Sequence, residues 1–128
     1  MMAAVLAATS CLGTDTQEAA LGQEFELIPN ESTRISGTQL VVGFRRVAED
    51  LRCPIDAACV ADGEAGIEIE VFGTDHSGPI LVNTPLPNSW HDASYQVRLV
   101  DLLPHPTADH PISPDEYRLR LVVDRLPR

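Results

Sequence analysis

Residues 48–71 read AEDLRCPIDAACVADGEAGIEIEV, and this segment is the most informative about the fold. Cys53 and Cys59 bracket a short polar loop near its centre, and a strictly alternating run, IEIEV at residues 67–71, leads out of that loop. Alternation with a period of two is typical of a strand that is buried on one face. The stretch therefore predicts a strand, a loop closed by a disulfide, and a second strand.

Two chemistries compete for Cys53 and Cys59. Structural zinc sites use cysteines two to four residues apart together with a second ligand pair, whereas these two are separated by five residues and have no companion pair. A disulfide between them would close a short ring and would stabilise the fold by about 2 kcal/mol in the chain-entropy model. We therefore predict the disulfide.

Alternating apolar residues predict further strands on both sides of this loop. The strands are expected at residues 24–28, 33–35, 39–47, 67–71, 79–84, 95–103 and 117–123. The alternation shifts by one residue near Arg45 and Arg46 and again after Leu99, which predicts a β-bulge at each place. Residues 85–92 are expected to be an irregular connection, and residues 113–116 a single helical turn. About seven short strands at near-regular spacing favour an antiparallel β-sandwich, with a partly open β-barrel as the alternative.

Composition limits the possible partners. The chain has 128 residues, enough for one domain with one core. Its formal net charge is −10, and all nine of its basic residues are arginine. Such a chain repels phosphate backbones and anionic membrane surfaces, so we expect no nucleic-acid partner.

The first residues resemble an export signal. Residues 1–11 are apolar or small and end in LAATSC, which is similar to the processing site of bacterial lipoproteins, where the cysteine carries the lipid. Cys11 is also the cysteine left over once the other two are paired. We therefore predict a signal-peptide remnant over residues 1–11, a tether over residues 12–22 and a single β domain over residues 23–128. Contact with a membrane would occur only through a lipid on Cys11.

The segment around Cys53 and Cys59 extends this resemblance. Residues 47–63 contain E-D-x-R-C-P-x4-C, which resembles small exported bacterial proteins, many of them lipoproteins. Those proteins also tend to carry Tyr-x-x-x-Leu, a proline-rich segment and Ile-x-Pro-x-x-Tyr, which occur here at residues 95–99, 103–106 and 112–117. Ala61 stands where the family often has tryptophan. The resemblance implies an exported β protein with a disulfide, in the envelope or periplasm, and it implies no particular activity.

Few groups of residues in the sequence could support catalysis. Ser89 with His91 and Asp92, and Asp75 with His76 and Ser77, lie in turn-like segments, and adjacency in sequence is not the geometry that a triad needs. His105 and His110 with Asp109 are the candidate metal ligands in a proline-rich loop. We predict no cofactor and no metal, and a non-catalytic binding protein. The alternatives are a small metal-dependent or hydrolytic enzyme using loop histidines, and loop presentation like that of a protease inhibitor.

A binding surface is predicted on the same segment, around Cys53 and Cys59. Four carboxylates, Asp50, Asp56, Asp62 and Glu64, surround a single arginine there. The local field should be negative and should favour a basic partner, such as another envelope protein, or a cation. The protein is expected to be a monomer.

Overall fold

A computed structural model describes residues 17–61 and 63–127. Within these residues nine strands and one 3-10 helix, Pro114–Glu116, follow one another. The strands are β1 (Gln17–Ala19), β2 (Phe25–Leu27), β3 (Glu31–Ile35), β4 (Val41–Asp50), β5 (Ala65–Phe72), β6 (Gly78–Asn83), β7 (Asn88–His91), β8 (Tyr95–Leu103) and β9 (Arg118–Arg125). No helix in the described residues is long and apolar enough to cross a membrane.

The strands form two sheets. One has the order β1-β3-β4-β5-β6 and the other the order β2-β9-β8-β7. All neighbouring strands are antiparallel except β1 and β3, which are parallel. In the described part of the chain the two sheets share no hydrogen-bonded strand pair, so they do not close into a barrel. The predicted sandwich is confirmed.

One apolar core lies between the sheets. Alternating residues of the central strands supply it, and the larger of them are Leu40, Val42, Phe44, Ile67, Ile69, Val71, Val97, Leu99, Leu119 and Leu121. Each of these side chains is at most 1% exposed. Full burial of a side chain of this size is worth about 1.5–3 kcal/mol. The alternation in β5 therefore assigned Ile67, Ile69 and Val71 to the core correctly, and that in β9 assigned Leu119 and Leu121.

The two predicted bulges are present. The register of β4 against β5 shifts between Phe44 and Arg46, and that of β8 against β9 shifts between Leu99 and Asp101. The helical turn is also present, and the Glu116 carboxylate accepts a hydrogen bond of 2.8 Å from the Ser113 amide.

Two segments differ from the sequence-based prediction. Residues 85–92 are not wholly irregular, because Asn88–His91 form β7 and pair with β8, with Trp90 opposite Val97. Residues 17–22 are not a free tether: β1 pairs with β3, Ala19 is buried, and the Gly22 amide bonds to the Val123 carbonyl. Both strands lie at sheet edges, where one neighbouring strand supplies the hydrogen bonds and little apolar alternation is needed. Residues 1–16, which include Cys11, lie outside the described residues.

Candidate functional site

The connection between β4 and β5, residues 51–64, is closed by the predicted disulfide, and we call it the stapled loop. Cys53 and Cys59 are bonded, with their Cα atoms 6.1 Å apart. The Leu51 amide donates 2.8 Å to the Glu64 carbonyl, which extends the strand pairing into the loop. Gly63 permits this closeness, since a Cβ there would lie 1.6 Å from the Leu51 carbonyl oxygen. The loop begins and ends as a continuation of the sheet.

A second connection packs against the first. Residues 104–112, between β8 and the 3-10 helix, are rich in proline, and we call them the proline loop. The Ile55 amide donates to the Pro106 carbonyl at 2.9 Å, and the Ala108 amide donates to the Asp56 carboxylate at 2.8 Å. The tip of the stapled loop is thus held by its own disulfide and by a neighbouring loop.

Arg52 joins the two loops at their base. Its guanidinium makes a two-point contact with the Asp50 carboxylate, at 2.8 Å from each of Nε and Nη2. It also donates to the carbonyls of Leu102 at 3.0 Å and Pro104 at 3.1 Å. The Tyr117 hydroxyl donates to the same carboxylate at 2.8 Å. Arginine suits this position because its planar fork can satisfy a carboxylate and two carbonyls together.

The surroundings of Asp50 control its ionisation. Burial alone would raise the pKa of Asp50, but hydrogen bonds from Arg52 and Tyr117 outweigh it and hold that pKa below its ordinary value. Burial and the hydrogen bond to Asp50 raise the pKa of Tyr117 to about 12. At neutral pH the cluster therefore consists of a carboxylate, a guanidinium and a neutral phenol. Neither Asp50 nor Tyr117 exchanges a proton near neutral pH, which suits a structural role. We call Asp50, Arg52 and Tyr117 the clamp.

The carboxylates predicted as a binding surface differ in their exposure and contacts. Asp50 is not available to a partner, since its side chain is only 13% exposed and is occupied by Arg52 and Tyr117. Asp56 and Glu64 are exposed at the surface. Asp62 lies outside the described residues. Sequence reasoning treated the four as equivalent, and it missed the clamp because Tyr117 is 67 residues away from Asp50.

The stapled loop also exposes apolar side chains that the sequence reasoning did not single out. Leu51 is 62% exposed, Ile55 is 70% exposed, and Val60 is fully exposed at 108%. Ile55 lies inside the ring closed by the disulfide, and Leu51 and Val60 lie just outside it. Single apolar residues are common on protein surfaces, whereas larger exposed apolar patches mark interaction sites. These residues, together with Asp56 and Glu64, form the candidate site.

Two open clefts flank the clamp. The first has a volume of about 250 Å³ and is lined by Arg52, Thr84, Leu86, Asp101 and His105. The second has a volume of about 320 Å³ and is lined by Asp50, Pro106, His110, Ile112 and Tyr117. The histidine in the lining of each cleft pairs with a carboxylate: His105 with Asp101 at 2.9 Å, and His110 with Glu116 at 3.5 Å.

These pairings separate the candidate metal ligands. His105 contacts Asp101 and His110 contacts Glu116, so these contacts do not hold the two imidazole rings at one common ion site. In residues 17–61 and 63–127, no group of three or more His, Cys, Asp or Glu side chains is arranged to hold a metal.

The two candidate triads are also not assembled among the described residues. The Ser89 hydroxyl accepts from Gln96, and His91 Nδ1 lies 3.2 Å from the Asp92 backbone carbonyl. His76 packs edge-on against Trp90 with ring centroids 5.4 Å apart. Its Nε2 is buried and has no hydrogen-bond partner. In neither group does a base contact a nucleophile, which is the contact that covalent catalysis requires.

The tip of the stapled loop is a turn. The Ala57 amide donates to the Pro54 carbonyl at 3.1 Å, so the chain reverses at Ile55 and Asp56. The exposed side chains of Ile55 and Asp56 therefore lie at the tip of this turn.

Comparison with known proteins adds no relative to this picture. No family model, no curated protein and no solved structure matches the chain.

Proposed function

We propose that the chain is an exported, non-catalytic binding protein of the bacterial cell envelope, which contacts a protein partner through its stapled loop. One observation carries the proposal: a loop that is fixed both covalently and by a second loop exposes Leu51, Ile55 and Val60. A sandwich that only needed to connect β4 to β5 would gain nothing from exposing them.

The rigidity of the loop supports a binding role. A flexible loop loses conformational freedom when a partner orders it, at a cost of about 0.5–1.5 kcal/mol for each immobilised long side chain. The disulfide, the Ile55–Pro106 hydrogen bond and the Asp56–Ala108 hydrogen bond order this loop before any partner arrives. A modest number of contacts can then give useful affinity.

The disulfide also supports export. Disulfides persist in oxidising compartments such as the bacterial periplasm and are rare in the cytosol. The resemblance of residues 1–11 to a lipoprotein signal points to the same compartment. In the proposed mature protein, Cys11 carries the lipid and holds the sandwich near a membrane.

Photochemical cross-linking in the source bacterium tests the binding role. A photoreactive amino acid replaces Ile55 in one variant and, as a control, Leu81 in another. Leu81 is a suitable control because it is similarly exposed, at 59%, but lies on β6 rather than on the loop. We expect one discrete protein to be captured through position 55 and not through position 81. Capture at neither position, or equally at both, would overturn the proposal.

The anchor has its own test. Cys11→Ser should move the protein from the membrane fraction to the soluble periplasmic fraction without changing the fold of the sandwich. Intact mass of the membrane-bound wild type should show the added lipid. A variant that stays membrane-bound, or a wild type without lipid, would contradict the anchor but leave the loop proposal intact.

A further inference from the structure

The charges around the stapled loop are unbalanced. The basic side chains of the stapled loop and the proline loop already have partners in the described residues: Arg52 pairs with Asp50, His105 with Asp101 and His110 with Glu116. The exposed carboxylates of Glu49, Asp56, Glu64 and Asp109 take part in no ion pair within the described residues. The free charge at this end of the sandwich is therefore negative.

The exposed apolar residues of the stapled loop lie within the span of one protein interface. The Cα atoms of Cys53 and Cys59 are 6.1 Å apart, and Val60 directly follows Cys59. Chain geometry then keeps the Cα atoms of Leu51 and Val60 within about 17 Å of each other. An interface of ordinary size covers about 800 Å² on each partner, which is wide enough to include both residues and Ile55.

Charge decides among the possible occupants of this surface. A second copy of the chain would bring another surface with unpaired carboxylates and a net charge of −10, so the two would repel. An anionic membrane surface is disfavoured for the same reason. A segment with positive charges between apolar side chains would satisfy both features of the surface.

We propose that the partner of the stapled loop is a basic, amphipathic protein segment. Its apolar side chains pack on Leu51, Ile55 and Val60, and its Lys or Arg side chains pair with Asp56 and Glu64. This inference rests on the proposed function and specifies the chemistry of the partner.

Three synthetic peptides of equal length test the inference: one alternating Leu and Lys, one alternating Leu and Glu, and one alternating Ser and Lys. Each is titrated into the isotopically labelled wild-type protein, and binding is mapped residue by residue by NMR. We expect the Leu–Lys peptide to shift the amide signals of residues 51–61 most. The Leu–Glu peptide should leave them unchanged, and the Ser–Lys peptide should bind several-fold more weakly.

Variants identify the contacts. Ile55→Ser should weaken binding of the Leu–Lys peptide about tenfold, as expected for a central apolar contact. Asp56→Asn together with Glu64→Gln should weaken it about fivefold, since two exposed ion pairs contribute roughly 1 kcal/mol in total. Asn at position 56 can still accept the hydrogen bond from Ala108, so the loop stays in place. Leu81→Ser and Asp115→Asn are the matched controls and should change nothing.

Several results would overturn the inference. Equal binding of the Leu–Glu peptide would show that the partner needs no positive charge. Signal shifts spread over the whole acidic surface would show that the stapled loop is not a specific site. Stronger binding to phosphatidylglycerol vesicles than to the Leu–Lys peptide would assign the surface to a membrane. A dimer in sedimentation that Ile55→Ser abolishes would assign it to a second copy. Capture of an acidic protein through position 55 would overturn the basic partner while leaving the proposed function standing.

Discussion

Arginine–carboxylate pairs occur in two very different settings in this molecule. On the outer face of the five-stranded sheet, Arg45 contacts Glu70 at 2.5 Å and Arg46 contacts Glu68 at 2.8 Å, with the arginine side chains 47% and 63% exposed. At the base of the stapled loop, Arg52 and Asp50 pair at 2.8 Å with both side chains only 13% exposed. The pairs have similar lengths but different access to water.

Access to water decides what each pair does. Exposed pairs gain little, because water screens the charges and two long side chains lose freedom. A pair withdrawn from water is costly to form, but breaking it leaves an uncompensated charge and is strongly destabilising. The pairs of Arg45 and Arg46 therefore follow from β4 and β5 being adjacent, whereas the pair of Arg52 fixes how two loops meet.

The largest expected effect is on the clamp itself. Arg52→Ala should lower the free energy of unfolding by about 3 kcal/mol, because Asp50 loses its counter-charge and two carbonyls lose a donor. Chemical denaturation measures this loss. Arg52→Lys should restore only part of it, since a single ammonium cannot replace the planar fork. A loss below about 0.5 kcal/mol, the level of a surface substitution, would show that the two settings do not differ.

The second effect concerns the staple. Replacing Cys53 and Cys59 together with Ala should lower the free energy of unfolding by about 2 kcal/mol, because the unfolded chain regains the freedom of the short ring. Reduction of the wild type should have a similar effect in the same denaturation experiment. If the doubly substituted protein were as stable as the oxidised wild type, the clamp alone would hold the loop.

The phenol of Tyr117 should contribute less. Tyr117→Phe removes the hydrogen bond to Asp50 but keeps the ring in the core, and it should cost about 1 kcal/mol. The same variant made together with Arg52→Ala should show a coupling between the two residues, since both bind one carboxylate. Strict additivity of the two losses in this double-mutant cycle would contradict a shared cluster.

Acid should weaken the clamp in a defined pH range. The pKa of Asp50 in the folded protein lies below its ordinary value of 3.8, so the unfolded chain binds this proton more readily. The stabilisation is therefore fully present well above pH 3.8 and is lost as the pH falls through the lower folded value. Asp50→Asn should show a shallower loss of stability over this range, although it starts less stable. Identical slopes for the two proteins would show that Asp50 does not contribute.

The smallest effect on stability is expected on the outer face of the five-stranded sheet. Arg46→Ala should leave the midpoint of thermal unfolding essentially unchanged, because the Arg46 side chain is 63% exposed and Glu68 keeps a second partner in Arg45. A clear loss that disappears at high salt would mean that the outer face acts as a charge network, and the contrast with Arg52 would weaken.

Local patterns in the sequence were enough to predict the core residues and the disulfide. Alternation in IEIEV and in β9 is a local property, and it fixes which side chains face inward whatever the rest of the chain does. The shifts of that alternation near Arg45 and after Leu99 located both bulges for the same reason. The spacing of Cys53 and Cys59, together with the absence of a second ligand pair in the sequence, was enough to predict their disulfide.

The side chains that the stapled loop presents to solvent depend on contacts between residues that are distant in sequence. Asp50, Asp56 and Glu64 look alike in sequence, yet Asp50 is withdrawn by Arg52 and by Tyr117, which comes from the far end of the chain. Leu51 and Ile55 are apolar residues, yet both are exposed in the folded chain. Edge strands β1 and β7 were missed because their partners, not their own apolar pattern, hold them. Contacts between residues far apart in sequence leave no periodic signal, so burial and pairing at this end of the sandwich could be known only from the folded chain.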